Sequence, residues 1–160
     1  MKKVSTFAVA LCLGASSALV STASFADMAQ SERQAASAAT FRQALLQLVR
    51  SNMGPLGGMA KGQIPFDTEV MKTNALRIEQ LGTMLPDYFA TNTTSFNVDT
   101  EALPKIWDNM DDFVAKANDM VVAAQALQVA AESGDEGAYR KAIGGVGATC
   151  KGCHDSYKAD

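Results

Sequence analysis

Apolar positions recur at intervals of three and four over most of this chain, the spacing of amphipathic helices rather than the alternation of strands. Ser31 and Gln34 form the S-x-x-Q of a capping box and open a first helix, which the pattern carries to about Asn52, where Gly54-Pro55 stops it. On that helix Ala38, Phe41, Leu45 and Leu48 make one apolar row, with Leu46, Val49 and Met53 beside it. Gly54 to Pro65 holds four glycines and two prolines and reads as a loop. A second helix starts from the N-cap Asp67 and ends before Pro86, turning Met71, Ala75, Ile78, Leu81 and Leu85 inward. The Thr- and Asn-rich stretch from Asp87 to Leu103 is a long crossover loop. A third helix opens with Pro104 in its first turn. Along it Ile106, Met110, Phe113, Ala117, Met120, Ala124, Leu127 and Ala131 alternate intervals of four and three. Ser133 to Asp135 turns into a fourth helix, with Ser133 and Glu136 as another capping box. Its seam is Tyr139, Ile143, Val146, Cys150, Cys153 and Tyr157. With no convincing strand, the pattern predicts an all-α fold, an antiparallel four-helix bundle.

Residues 1–26 depart from that pattern. Lys2 and Lys3 precede an apolar run from Val4 to Val20, and Ser24-Phe25-Ala26 offers small residues at the two cleavage-determining positions. This is a secretory signal peptide, cleaved near Ala26/Asp27, which makes 27–160 the mature domain and the bacterial periplasm its destination. The run is shorter than the roughly 20 residues that span a bilayer, and Ser, Thr and Gly interrupt it, which argues against a membrane anchor. Cys12 follows Leu11 rather than a small residue, which argues against a lipoprotein site. Loss of Lys2 and Lys3 from the 14 basic residues leaves 12 against all 17 acidic ones, a net charge of −5. Such a balance opposes binding to nucleic acid or to anionic membranes.

The chemistry sits at the end of the chain. Cys150-Lys151-Gly152-Cys153-His154 is the C-x-x-C-H signature of covalent c-type haem attachment. The two thiols add across the porphyrin vinyl groups as thioethers, and the imidazole of His154 is the axial ligand to the haem iron. Positions 150, 153 and 154 stand at i, i+3 and i+4 on neighbouring parts of one helix face. A zinc site needs about four N or S ligands, and after leader removal these three side chains are the only such residues left. A thioredoxin-like pair accompanies a βαβ pattern, which is missing here. A disulfide across so short a loop constrains little of the unfolded chain. Because both cysteines lie on the apolar seam, one haem c is expected inside the bundle, as the largest apolar object of its core. Gly144, Gly145 and Gly147 precede the motif. Mid-helix glycine costs about 0.5–1 kcal/mol relative to alanine. Either a flat macrocycle or neighbouring helix approaches the backbone there, or the helix is simply weak.

Several further motifs carry a family resemblance across essentially the whole mature chain. Phe41-Arg42-Gln43, Lys61-Gly62-Gln63-Ile64-Pro65-Phe66-Asp67, Pro104-Lys105-Ile106-Trp107 and the C-terminal Cys-Lys-Gly-Cys-His-Asp-Ser-Tyr-Lys together resemble cytochrome c′, the high-spin class of bundle cytochromes. The resemblance implies that Arg42, Gln43 and Glu101 contact the haem edge and propionates. It also implies that the distal position falls at Leu46, with Phe89, or Tyr88 beside it, as a second apolar wall. Lys158 stands near the proximal imidazole where the family commonly has arginine, without arginine's planar fork. Family members are often homodimers through their first two helices.

Occupancy of the sixth iron position decides the function. His154 is the only histidine, so bis-histidine ligation within one subunit is impossible. Met-ligated relatives of this bundle take their ligand from the first helix, and Ala29 to Asn52 contains no methionine. A five-coordinate, high-spin iron under an apolar distal wall follows. Leu46 donates no hydrogen bond to bound O₂, so neutral NO and CO are the favoured ligands. The expected function is periplasmic binding of NO as a sink or carrier, with an electron shuttle between periplasmic redox proteins as the alternative. No acid–base pair or activated nucleophile points to an enzyme.

Overall fold

The computed structural model describes residues 26–159; the leader expected over 1–26 lies, but for Ala26, outside the described residues. In chain order the elements are β1 (Asp27–Met28), α1 (Glu32–Ala60), α2 (Thr68–Phe89), β2 (Thr91–Asn92), α3 (Lys105–Asp108), α4 (Met110–Ala130) and α5 (Glu136–Tyr157). The four long helices close a ring in which α1 packs on α2, α2 on α4, α4 on α5 and α5 on α1. This is the expected four-helix bundle. One small addition is a parallel pairing of Asp27 with Thr91 and Met28 with Asn92, which ties the chain start to the crossover. Among the described residues no helix is long and apolar enough to cross a membrane.

The helix ends differ from expectation where proline was read as a stop. α1 continues through Gly54 and Pro55 to Ala60, so Gly54 to Ala60 is helix rather than loop. An internal proline costs about 3 kcal/mol. The extension, however, buries Leu56 and Met59, 0% and 2% exposed, and each contributes about 1.5–3 kcal/mol. Burial therefore outweighs the lost hydrogen bond. The end is well capped: Gly62, at φ +71°, lets its own N–H reach the Met59 carbonyl at 3.0 Å and the Gln63 N–H reach that of Gly58 at 2.9 Å. Arg140 Nη1 of α5 donates to the Ala60 carbonyl at 2.6 Å. Likewise α2 runs through Pro86 rather than ending before it, because Phe89, 3% exposed, belongs to the core.

The face of α1 that turns inward also differs. Phe41 and Leu48, expected inside, are 59% and 54% exposed, and the buried row is Ala35, Ala39, Arg42, Leu45, Val49, Asn52, Leu56 and Met59. That row keeps intervals of three and four over the whole longer helix. Its two polar members hide it from a purely apolar reading. Both have partners: Asn52 Nδ2 donates to the Leu48 carbonyl at 2.8 Å, and Arg42 is bonded as described below. Ser31 caps α1 as expected, accepting from Gln34 N–H, whereas the Gln34 side chain reaches back to Gln30 N–H rather than Ser31.

The remaining helices follow their predicted seams closely. Asp67 caps α2, accepting from the N–H groups of Glu69 and Val70 at 3.0 Å each. The single third helix divides at Asn109 (φ −137°, ψ 46°) into α3 and α4, yet Ile106, Phe113, Ala117, Met120, Ala124, Leu127 and Ala131 are all buried. In α5 the N-cap is Asp135 rather than Ser133, whose hydroxyl instead accepts from Asp135 N–H. Gly82 allows α2 to approach α4 closely: a Cβ there would lie 2.8 Å from Val121 Cγ2 and 3.2 Å from Met120 Cε.

If α1 is continuous and Leu56 is core, Leu56→Ala lowers the unfolding free energy by about 2–5 kcal/mol, read by urea denaturation. Pro55→Ala raises it, by up to about 3 kcal/mol. A negligible loss for Leu56→Ala would mean that the segment is loop after all.

Candidate functional site

The geometry of α5 decides what its last two turns can do. Tyr139, Ile143, Val146 and Tyr157 are buried along its inner face, and Cys150 and Cys153 continue that face, half-buried and packed against the same core. Both are free thiols. Burial is the main cause that pushes each thiol above its ordinary pKa, with Lys116 partly opposing the shift at Cys153. Protonated, apolar-facing thiols are poor redox nucleophiles. Among the described residues no group of three or more His, Cys, Asp or Glu side chains is placed to hold a metal ion, so zinc binding finds no support either. His154 follows on the exposed flank of the helix. Two inward thiols and one outward imidazole within a single turn are the donor set that covalent haem attachment requires.

The end of α5 is held from the far side. Tyr157, 4% exposed, donates from its hydroxyl to Asp112 Oδ2 at 2.6 Å and lies 3.4 Å from the Asn109 carbonyl, both at the start of α4. Its ring meets Phe113 edge-on at 5.7 Å, and Phe113 lies 4.6 Å from Phe89. The file ends at Arg42 of α1, whose guanidinium sits 5.2 Å from the Phe89 centroid and 5.1 Å from that of Trp107. Arg42 is 2% exposed; Nη2 donates to Thr93 Oγ1 at 2.9 Å and Nη1 to the Thr91 carbonyl at 3.5 Å, while Nε has no partner. Burial lowers its pKa. A buried cation with an unsatisfied nitrogen and, among the described residues, no carboxylate beside it suits an anionic group such as a haem propionate.

The other expected site residues fall in two groups. Phe89 is in the core, with Tyr88 half-buried beside it. Leu46 is 38% exposed and stands outside the core cluster, one helical turn past Arg42. Gln43 is exposed and donates through Nε2 to the Asp99 carbonyl at 2.9 Å. Glu101 and Lys158 meet each other, with Lys158 Nζ 3.1 Å from Glu101 Oε2. Lys158 lies past the end of α5 in extended conformation, bridged to Ala102, and not on a further turn of helix beyond His154. At Gly144, Gly145 and Gly147 a Cβ would meet nothing within 4 Å. Among the described residues no neighbouring helix explains those glycines. Sequence reasoning missed Asp112, Thr93 and Trp107; only the position of Tyr157 on the seam hinted that a hydroxyl partner was needed.

Comparison with known proteins bears on this arrangement directly. The family model described as Cytochrome C' matches residues 37–158. Cytochrome c-554 of Cereibacter sphaeroides is 38% identical over 119 residues, covering 73% of this chain and 89% of its own. Among solved structures, cytochrome c prime from Shewanella frigidimarina superposes with a TM-score of 0.72 at 40% identity, over 79% of this chain and 97% of that one. The ferrous arginine-to-lysine variant of the Alcaligenes xylosoxidans protein, with bound NO, superposes at 0.67 and 33% identity, over 77% and 94% of the two chains.

The Tyr157 contact predicts an alkaline limit. Burial first, and then the hydrogen bond to Asp112, push its phenol up to about 12, above the unfolded value of about 10. The folded state thus favours the protonated phenol. Its contribution to stability is complete below pH of about 10 and is lost as pH rises towards 12. Urea midpoints for the wild type should fall faster through this window than those for Tyr157→Phe. Parallel curves would show that the contact contributes nothing.

Proposed function

The chain belongs to the cytochrome c′ family and carries one covalently attached haem c; from that premise we propose that it is a periplasmic NO-binding protein. When bound, the haem supplies an iron that takes diatomic gases. The chain's own residues do the rest. Cys150 and Cys153 would fasten the porphyrin to the inner face of α5, and His154 would bind its iron. Arg42 neutralises a propionate from within the core. Gln43 and Glu101 attend the haem edge, the latter restrained by Lys158. Leu46 and Phe89 wall the distal face with hydrocarbon, so that NO, and CO with it, bind without a hydrogen-bond donor while O₂ gains nothing. No turnover is assigned; the protein serves as a sink or carrier in nitrosative stress.

The observation that carries this reading is that α1 holds no methionine from Glu32 to Asn52, the stretch on which Arg42 and Leu46 stand, its Met53 and Met59 coming only in the later turns. Met28 of β1 is 46% exposed. Met59 is buried, but next to Ala60, which Arg140 bonds; Arg140 lies ten residues before Cys150, about 15 Å along α5. Met120 is the buried methionine of α4, and its Cε lies against Gly82 of α2. The NO complex of the Alcaligenes xylosoxidans relative supports gas binding as well. Met120 also defines the second reading: were its sulfur to swing onto the iron, the protein would be an electron shuttle between periplasmic redox proteins. A homodimer through α1 and α2 belongs to the proposal, because Phe41, Leu48, Leu76 and Met84 leave apolar surface uncovered on those two helices.

Absorption spectra of the ferrous protein before and after CO or NO discriminate the readings. A high-spin spectrum that shifts promptly on gas addition, unchanged in the resting state by Met120→Leu, is expected. A low-spin spectrum indifferent to CO, converted to high-spin by Met120→Leu, would establish the shuttle. In sedimentation, Phe41→Glu should turn dimer into monomer; an unaltered sedimentation coefficient removes the α1–α2 interface.

A further inference from the structure

Tyr157 is placed as few buried tyrosines are. Its ring is in the core, one helical turn beyond Cys153 on the same seam, which puts the two Cβ atoms about 5–6 Å apart. Cys153 is a point of covalent haem attachment, so the phenol stands beside the macrocycle. The hydroxyl, in contrast, points out of the core to Asp112 Oδ2 at 2.6 Å, within the reach required of a general base. The Asp112 side chain is 58% exposed and 3.9 Å from Lys116 Nζ, so a proton received there has water as its next acceptor. Above the ring, Lys105 Nζ lies 5.9 Å from the centroid. A positive hole on the ring is disfavoured beside that cation unless the phenolic proton leaves with the electron.

We propose that Tyr157 is a redox-active tyrosine that returns an electron to the peroxide-oxidised haem while its proton passes to Asp112. The inference rests on the open sixth position, where the co-reactant, hydrogen peroxide, must bind. When bound, the haem would supply the two electrons that, with two protons from solvent, reduce hydrogen peroxide to two waters. Tyr157 gives back one electron, its O–H bond breaks, Asp112 takes the proton, and a neutral tyrosyl radical remains. The oxidising equivalent is thereby moved off the porphyrin edge and onto one chosen side chain at the end of the Phe89–Phe113–Tyr157 file. Trp107 has no such base as its partner: its indole N–H donates to the Phe89 carbonyl, which cannot accept a proton.

The test uses the ferric holoprotein mixed with hydrogen peroxide, followed by absorption and frozen for electron paramagnetic resonance. A tyrosyl signal is expected that narrows with ring-deuterated tyrosine, is lost in Tyr157→Phe and falls severalfold in Asp112→Asn, a substitution at an exposed position. An unaltered haem spectrum on peroxide addition would show that the sixth position is closed and would overturn both this proposal and the reading beneath it. A spectral change with no tyrosyl signal, or with one that survives Tyr157→Phe, overturns this proposal alone.

Discussion

The rest of the structure depends on the register of α5, which sends Cys150 and Cys153 to the inside and His154 to the flank. A helix repeats every 3.6 residues, so a seam of Tyr139, Ile143 and Val146 fixes where the next inward positions fall, and they are the two cysteines. Shift that register by one residue and the thiols would face water. A porphyrin fastened to an inward seam must be enclosed by α1, α2 and α4. One fastened outside would hang from a single helix with its propionates free. The buried Arg42, which lacks a carboxylate among the described residues, suits the first arrangement.

A set of linked polar side chains gathers at one end of the bundle, apart from the buried Asn52 and Asn74. Arg42, Thr93, Trp107, Asn109, Asp112 and Tyr157 join α1, the crossover, the α3–α4 break and the end of α5. Thr93 accepts from Arg42, Asp112 accepts from Tyr157, and the Trp107 indole donates to the Phe89 carbonyl; an unpaired polar group in such a place costs about 1–3 kcal/mol. The opposite end of the bundle is conventional, with Phe66 edge-on to Tyr139 and Arg140 over the Phe66 ring. The chemistry and the polar network therefore share one end, and hydrocarbon packing supplies the stability at the other.

Much of this was legible in the residue order. Period alone located the α2, α4 and α5 seams, since those stripes contain almost no polar interruption, and the C-x-x-C-H spacing named the cofactor. Legibility failed where tertiary burial overrode a local rule. Pro55 and Pro86 look like stops, but Leu56, Met59 and Phe89 gain more from burial than proline costs. The inner face of α1 is hidden from periodicity because Arg42 and Asn52 interrupt it, and the partners of Arg42 lie about fifty residues away on the crossover. The Glu101–Lys158 and Tyr157–Asp112 pairs were equally hidden, each joining positions more than forty residues apart.

A haem held by one imidazole and faced by leucine and phenylalanine is a gas receptor; the same haem with a second protein ligand is a wire. X-ray absorption at the iron edge of the resting ferric protein measures that difference without any added ligand. The account predicts a five-coordinate iron, with porphyrin nitrogens and a single imidazole. A sixth scatterer, above all a sulfur at methionine distance, would contradict it.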